Sequence, residues 1–332
     1  MMGHRREQPQ FPKPYDFVPF TEQQDQQRPF GHQAFHLQDT LSGRVVVTIE
    51  LQTLLHISSG SYALSEDLGL KAGFVIKDMY KVLRNGIAVP AIPGSTLKGG
   101  VRTLVEAVTN SCLIAVPGKL RRKLPRSQGR SCGGNQLCPA CALFGAMGQL
   151  ARVSFSDALF VSGDSEIFRL PSLYRTRAED SYQYVDANDR LKGRKFYLHG
   201  IPQRHREGGY AEAIKAGSVL RGNIDFTNLT PAELGLLCFG LGLDNSFQLA
   251  LGGGKPLAMG RVKITAQELQ LQQTASFLEY ETGNAVLAGN VLTTAVADYI
   301  TQADPLLQDV QLEAVRRILD PNNQRPAPTG TY

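Results

Sequence analysis

Ser218-Val-Leu-Arg-Gly-Asn-Ile-Asp-Phe226, followed by Thr230-Pro-Ala-Glu233 and an apolar run to Leu241, is the stretch on which the fold turns. Its first nine residues read as a strand. Thr230 suits an N-cap, Pro231 the first helical position and Glu233 the return bond of a capping box, so a helix through Leu241 follows. The same strand-then-helix pairing lies upstream. From Arg44 to Leu54, Val45, Val47, Ile49 and Leu51 alternate with Val46, Thr48, Glu50 and Gln52, the pattern of a half-buried strand. Leu97, Val101, Leu104, Val105 and Val108 fall at helical spacing, which predicts a helix starting near Ser95. Strands near Ala151 to Val161 and at Arg261 to Thr265 complete the order strand, helix, strand, strand, helix, strand. That order is the split βαβ of an α+β, ferredoxin-like domain carrying large insertions.

Around this domain, expected over 44–272, the chain divides by composition. Residues 1–43 hold eight Gln and six aromatics, an arm whose Phe and Tyr side chains call for a surface to dock on. One insertion, about 112–141, carries cysteines, and a second, about 170–209, is polar and basic. Residues 273–332 read as a tail of one or two helices with a frayed Pro-rich end. With 42% hydrophobic and 20% charged residues, the chain is neither wholly disordered nor, lacking a G-X-Y period, collagenous. Met1 to Gln10 is polar with no apolar segment after it, so the expected location is the cytoplasm, with no membrane span.

Net charge is only +5, but its distribution is uneven. Lys119 to Arg130 holds six basic residues and no acid, and Arg169 to Arg206 holds nine against four acidic ones. Such stretches are either solvated loops or the footprint of a polyanion.

Two turns fit a phosphate. At Ile92-Pro-Gly-Ser-Thr-Leu-Lys-Gly-Gly-Val-Arg102, Gly94 permits a tight turn, and Ser95 and Thr96 are placed to cap. Lys98 and Arg102 lie four apart, away from the apolar stripe. At Gly252-Gly-Gly-Lys-Pro-Leu-Ala-Met-Gly260, successive N–H groups of Gly252, Gly253 and Gly254 form a nest beside Lys255, with Arg261 at the exit. A plain capped helix and a flexible hairpin loop are the simpler readings. Pro256 after Lys255 excludes a Walker motif.

Cys112, Cys132, Cys138 and Cys141 include the C-x-x-C knuckle Cys138-Pro-Ala-Cys141, whose two thiolates can meet one tetrahedral Zn²⁺, with Cys132 and Cys112 completing the set. Reduced thiols or a redox pair are the alternatives. Cys238 lies on an apolar helix face and reads as core. No nucleophile triad or paired-carboxylate motif stands out.

Taken in order, Leu55-His-Ile-Ser-Ser-Gly60, Val75-Ile-Lys-Asp78, the Ile92–Arg102 turn, Cys138-Pro-Ala-Cys-Ala-Leu-Phe-Gly145 and Gly252–Val262 resemble the signatures of RAMP proteins. These proteins form the backbone of type III CRISPR effector complexes. Pro14-Tyr-Asp-Phe-Val-Pro-Phe20 resembles the opening of a subgroup associated with type III-D. The resemblance covers about residues 44–265. It implies an RRM-like palm, often zinc-bearing, with a thumb hairpin at about 170–209 that kinks the guide–target duplex. It also implies RNA contacts by His56, Ser58, Ser59 and Gly60, by Ser95, Thr96, Lys98 and Arg102, and by Gly252, Gly253, Gly254, Lys255 and Arg261. Implied partners are guide RNA, target RNA, other RAMP subunits and the large subunit of the complex. Catalytic members carry an Asp shortly before the Val-Ile-Lys-Asp stretch, where an ungapped match places Ala72. Asp67, five residues earlier, is the substitute. The leading expectation is therefore a subunit that holds RNA without cutting it. The alternative is a Mg²⁺-dependent endoribonuclease using Asp67, and a zinc-stabilised small-molecule enzyme is a distant third.

Overall fold

The computed structural model describes residues 13–21, 26–27, 39–71, 73–113, 116, 118–125, 132–133, 136–171, 182–272 and 285–329. In chain order the strands are β1 (Tyr15–Val18), β2 (Gln26–Gln27), β3 (Leu41–Leu51), β4 (Ser58–Leu64), β5 (Val75–Met79), β6 (Lys81–Arg84) and β7 (Ile87–Ile92). Helices α1 (Gly94–Val108) and α2 (Gly118–Arg121) come next, then β8 (Gln136–Leu137), α3 (Pro139–Phe144), β9 (Val153–Phe155), β10 (Ala158–Ser162) and β11 (Ser165–Leu170). The second half runs β12 (Arg194–Tyr197), β13 (Gly209–Ile214), β14 (Val219–Leu229), α4 (Pro231–Gly240), β15 (Leu249–Ala250), β16 (Arg261–Leu271), β17 (Ala285–Ala288), α5 (Gly289–Gln302) and α6 (Asp309–Ile318).

The main sheet is antiparallel, in the order β15-β16-β3-β14-β10-β7-β6, with β17 added to β16 and β9 to β14. Strand β3 sits at its centre, and Val45, Val47, Ile49 and Leu51 are buried as their alternation predicts. Helix α1 lays Leu97, Val101, Leu104, Val105 and Val108 into the same core. The capping box at α4 forms as expected: Thr230 Oγ1 accepts the Glu233 N–H, and Glu233 accepts the Thr230 N–H. All residues of α4 from Leu234 to Gly240 are buried, because α1 and α5 cover it on two sides. Gly235 is required there, since a Cβ would lie 1.8 Å from the Tyr299 carbonyl oxygen of α5.

Two expectations change in the fold. Strand β16 continues to Leu271, six residues past Thr265, with a bulge between Ala266 and Glu268 where it crosses β3. A bulge hides a continuing strand from a strict alternation test. The Pro-rich end, expected to fray, instead packs: Ala327 N–H donates to the Ile201 carbonyl at 2.9 Å, and Ile201 N–H to that of Arg325 at 2.8 Å.

The ends of the basic excursion form a hairpin stem, β11 with β13, which joins β5 and β4 in a second sheet. Residues 172–181 of the excursion lie outside the described residues. Its later part folds back on the body, where β12 pairs antiparallel with β1, Phe17 opposite Lys195. Residues 15–18 of the arm thus find a surface within the chain, where Tyr15, Tyr184 and Tyr197 surround the Lys195 ammonium and Phe17 packs edge-on to Tyr15 and Tyr184.

His199 fixes the end of that excursion. Its N–H donates to the Ile318 carbonyl, and its ring Nε2, 2.7 Å from the Gln248 carbonyl oxygen, is the protonated nitrogen because a carbonyl only accepts. Burial pushes its pKa down to about 4. The unfolded chain therefore binds a proton before the folded one does. His199's contribution is whole above its ordinary value of about 6.5 and is lost as pH falls from there towards about 4. Urea unfolding should lose about 2 kcal/mol between about pH 7 and about pH 5, and His199→Asn should remove most of that slope.

Candidate nucleic-acid interface

The start of α1 is built differently from the cap its sequence suggests. Pro93 is the N-cap, and no side chain bonds there. Gly94 N–H donates instead to Asp157 Oδ1 at 2.8 Å, while Asp157 Oδ2 accepts the Tyr80 hydroxyl at 3.0 Å. Thr96 and Leu97 N–H both turn to the Pro93 carbonyl. With these donors occupied and a carboxylate at the helix end, main-chain N–H groups offer an anion little here. The exposed Ser95 and half-buried Thr96 do not cap, so an anion at this turn would have to be met by side chains.

Lys98 is half-buried and makes no ion pair among the described residues, and burial, then the neighbouring Arg102 charge, lowers its pKa. Arg102 is committed elsewhere. Its Nε donates to Glu106 Oε1 at 2.8 Å, its Nη1 to the Gly145 carbonyl at 3.2 Å, and its Nη2 lies 3.7 Å from Cys141 Sγ. Burial opposes its charge, yet Glu106 more than compensates and holds its pKa up.

The first loop and the glycine loop, about 200 residues apart in sequence, lie against each other. Gly253 N–H donates to the His56 carbonyl at 2.9 Å and Gly260 N–H to that of Leu54 at 2.7 Å. His56 is buried, and its Nδ1 lies 2.6 Å from the Glu212 carbonyl oxygen, so that nitrogen carries the proton. Ser58, Ser59 and Gly60 open the exposed strand β4; Ser59 Oγ donates to Asp78 Oδ2 at 3.1 Å, and Gly60 N–H to Ser58 Oγ. Lys81, bonded to both Asp78 and Glu212, ties this loop to β13.

In the glycine loop, Lys255 begins a short 3-10 turn, half-buried and without an ion-pair partner among the described residues, and burial lowers its pKa. Arg261 follows at the head of β16. Its Nη1 donates to the Pro321 carbonyl at 3.2 Å, its Nε is buried without a partner, and burial lowers its pKa too. Three of the expected contact cations, Lys98, Lys255 and Arg261, are thus partly desolvated with no carboxylate partner among the described residues. A phosphate would meet them at a smaller desolvation cost than fully hydrated lysines incur. Asp67 is exposed in the turn Ser65–Leu68, where its Oδ2 accepts the Leu64 N–H at 3.3 Å. Ala72 lies outside the described residues.

Cys112, Cys132, Cys138 and Cys141 gather in the core with their sulfurs all within 4.8 Å of one another. Cys112 Sγ is 3.5 Å from Cys141 Sγ and 3.6 Å from Cys138 Sγ. Four thiolates at about 2.3 Å from one ion would stand about 3.8 Å apart, so the donor set and spacing fit a tetrahedral metal. Helix α3 begins at the knuckle, and the Cys141 N–H points at Cys138 Sγ. Sequence reasoning missed the shell around the cluster. Glu106 binds Arg102 through one oxygen and Arg194 through the other, and Arg194 donates to the Cys112 carbonyl at 2.9 Å. Arg194 comes from the basic excursion, 82 residues from Cys112, and carries no local signal.

A family model of the RAMP superfamily matches residues 48–263, more than half of the chain. The chain belongs to the RAMP superfamily. This superfamily is generally associated with CRISPR RNA-binding proteins, and the matched region of this RAMP chain contains every candidate contact named above and the whole cysteine cluster. No curated protein matches the chain. Among the described residues, no helix of this RAMP protein is long and apolar enough to cross a membrane.

Proposed function

We propose that this RAMP protein is an RNA-holding backbone subunit of a type III CRISPR ribonucleoprotein in the cytoplasm, and that Zn²⁺ occupies its cysteine cluster. The observation that carries the reading is the convergence of the two loops, with Lys98, Lys255 and Arg261 free of carboxylate partners among the described residues. Strand order supports a ferredoxin-like palm: β3, β10, β14 and β16, taken as its first to fourth strands, stand 4-1-3-2 in the sheet. The face of that sheet away from α1 and α4 carries Thr48, Glu50, Arg221, Asn223, Lys263 and Thr265 beside the buried Val46, with no aromatic among these residues. These described positions offer bases no stacking platform, which favours backbone contacts from the loops. Guide and target RNA, neighbouring RAMP subunits and the large subunit are the partners in this reading, with the excursion as the thumb.

Lys98→Ala combined with Lys255→Ala should weaken binding of single-stranded RNA of any sequence about tenfold or more. It should also reduce the slope of log affinity against log salt by about 1.4, near 0.7 for each phosphate that is no longer neutralised. Fluorescence anisotropy across a salt series measures both quantities, and an unchanged slope would remove these lysines from the interface. For cleavage, the bond to Leu64 N–H makes Asp67 a turn cap in this reading. Gel mapping of target fragments from an assembled complex should show the same ladder with Asp67→Ala. Loss of a band would favour the endoribonuclease instead.

A further inference from the structure

Between the glycine loop, β11 and residues 202–205 lies a cavity of about 350 Å³ to which the phosphate-binding reading assigns no occupant. That volume is at the small end of ligand sites. Leu257 and Met259 enter its wall from either side of Ala258, whose φ of +57° is a left-handed conformation unusual for a residue with a Cβ. Gly254 makes room for this arrangement: a Cβ there would sit 2.5 Å from Met259 Sδ. The glycine loop thus serves to present two apolar side chains as well as a cation.

Facing them, Phe168 of β11 packs its ring against His56 at 6.3 Å between centroids. Glu166, two residues earlier, lies on the same face of that strand, and its carboxylate has no partner among the described residues. Residues 202–205 bring Arg204, exposed and unpaired among the described residues, and His205, whose Nε2 is buried without a hydrogen bond. Arg169 also lines the cavity, but the Gly208 carbonyl and the Tyr210 hydroxyl hold its guanidinium over the Tyr210 ring.

We propose that this cavity takes one unstacked guanine base of the bound RNA, an inference that rests on the RNA-holding reading above. An aromatic ring and a thioether bound an apolar slot suited to a flat base. An unpaired carboxylate at its side calls for two adjacent donors. Guanine alone among the four RNA bases offers them, at N1–H and the N2 amino group, and its O6 and N7 accept from Arg204 and His205. Adenine sets a bare N1 beside its amino group, which the carboxylate repels, and uracil offers one N–H between two carbonyls.

The test uses the full chain and oligouridylates of about a dozen nucleotides, unchanged or with one central guanosine, adenosine or inosine, read by fluorescence anisotropy. Guanosine should tighten binding about tenfold, equivalent to about 1.4 kcal/mol, with inosine, which lacks the N2 amino group, in between. Glu166→Gln keeps the shape of the strand, so it should level all four affinities at the wild-type value for oligouridylate. Equal wild-type affinities, or a guanosine preference that survives Glu166→Gln, would overturn the base pocket while RNA binding stands. No binding to any oligomer at low salt would overturn both.

Discussion

Cys138→Ser should strip the protein of one equivalent of zinc and lower its unfolding free energy by several kcal/mol. Structural zinc sites contribute about 10–16 kcal/mol to folding where they have been isolated, because the ligands are organised only when the metal binds. Here the cluster lies inside the core. Cys112, Cys138 and Cys141 pack with Leu143 and Phe144 of α3 in the same apolar body as α1. The charges around it match a metal-bound thiolate set. Zn²⁺ with four thiolates carries a net charge of about −2, and Arg102 and Arg194 stand beside it with Glu106 shared between them. Without the metal the two guanidiniums face uncharged thiols in a buried setting, which is unfavourable. Chelation of the wild type at neutral pH should therefore destabilise it as much as the substitution does, and the chelator should have no effect on the variant. Metal analysis that finds no zinc in protein purified in reducing buffer, together with urea curves that ignore the chelator, would make these cysteines plain core thiols.

That cluster shows how far the sequence could be read. The C-x-x-C knuckle is local, and its chemistry calls for partners, so the grouping of the four cysteines was legible despite irregular spacing. Strand β3, the stripe of α1 and the capping box of α4 were legible for the same reason: each is written within a dozen residues, where period and cap residues dominate. The expected cap at Ser95 does not form because α1 already begins at Gly94, whose N–H goes to Asp157, 63 residues away, and Ser95 lies inside the first turn. Helical spacing alone places Arg102 with Lys98 on the face away from the apolar stripe. Spacing fixes where a Cα lies, but a long side chain chooses among several directions, and Glu106 with the Gly145 carbonyl drew it to the cluster. The pairing of β1 with β12 joins segments some 180 residues apart whose sequences show no strand alternation. The glycine loop was recognised as a special turn, but that its residues form the wall of a cavity depends on where β11 lies, which no local pattern states.

Arg152→Met should destabilise the protein by about 3–5 kcal/mol, the cost of leaving one half of a buried ion pair behind. Arg152 is 5% exposed. Its Nε donates to the Ala142 carbonyl of α3 at 2.9 Å and its Nη1 to the Asn228 carbonyl near the end of β14 at 2.6 Å, while both terminal nitrogens grip the Glu233 carboxylate. One guanidinium thus joins the cysteine-knuckle helix α3, the central sheet and the first turn of α4. Glu233 is at the same time the capping-box residue of α4, so the carboxylate left behind would still accept the Thr230 N–H but would be without its buried cation. A double substitution, Arg152→Met with Glu233→Gln, removes both charges and keeps an acceptor for the cap. It should recover part of the loss, because most of the single-variant cost is an uncompensated charge and not a missing attraction. Urea unfolding of the wild type, both single variants and the double variant closes the cycle. If the double variant is destabilised by the sum of the two single changes, the residues act independently and the bridge between α3, β14 and α4 rests on the carbonyl bonds of Arg152 alone.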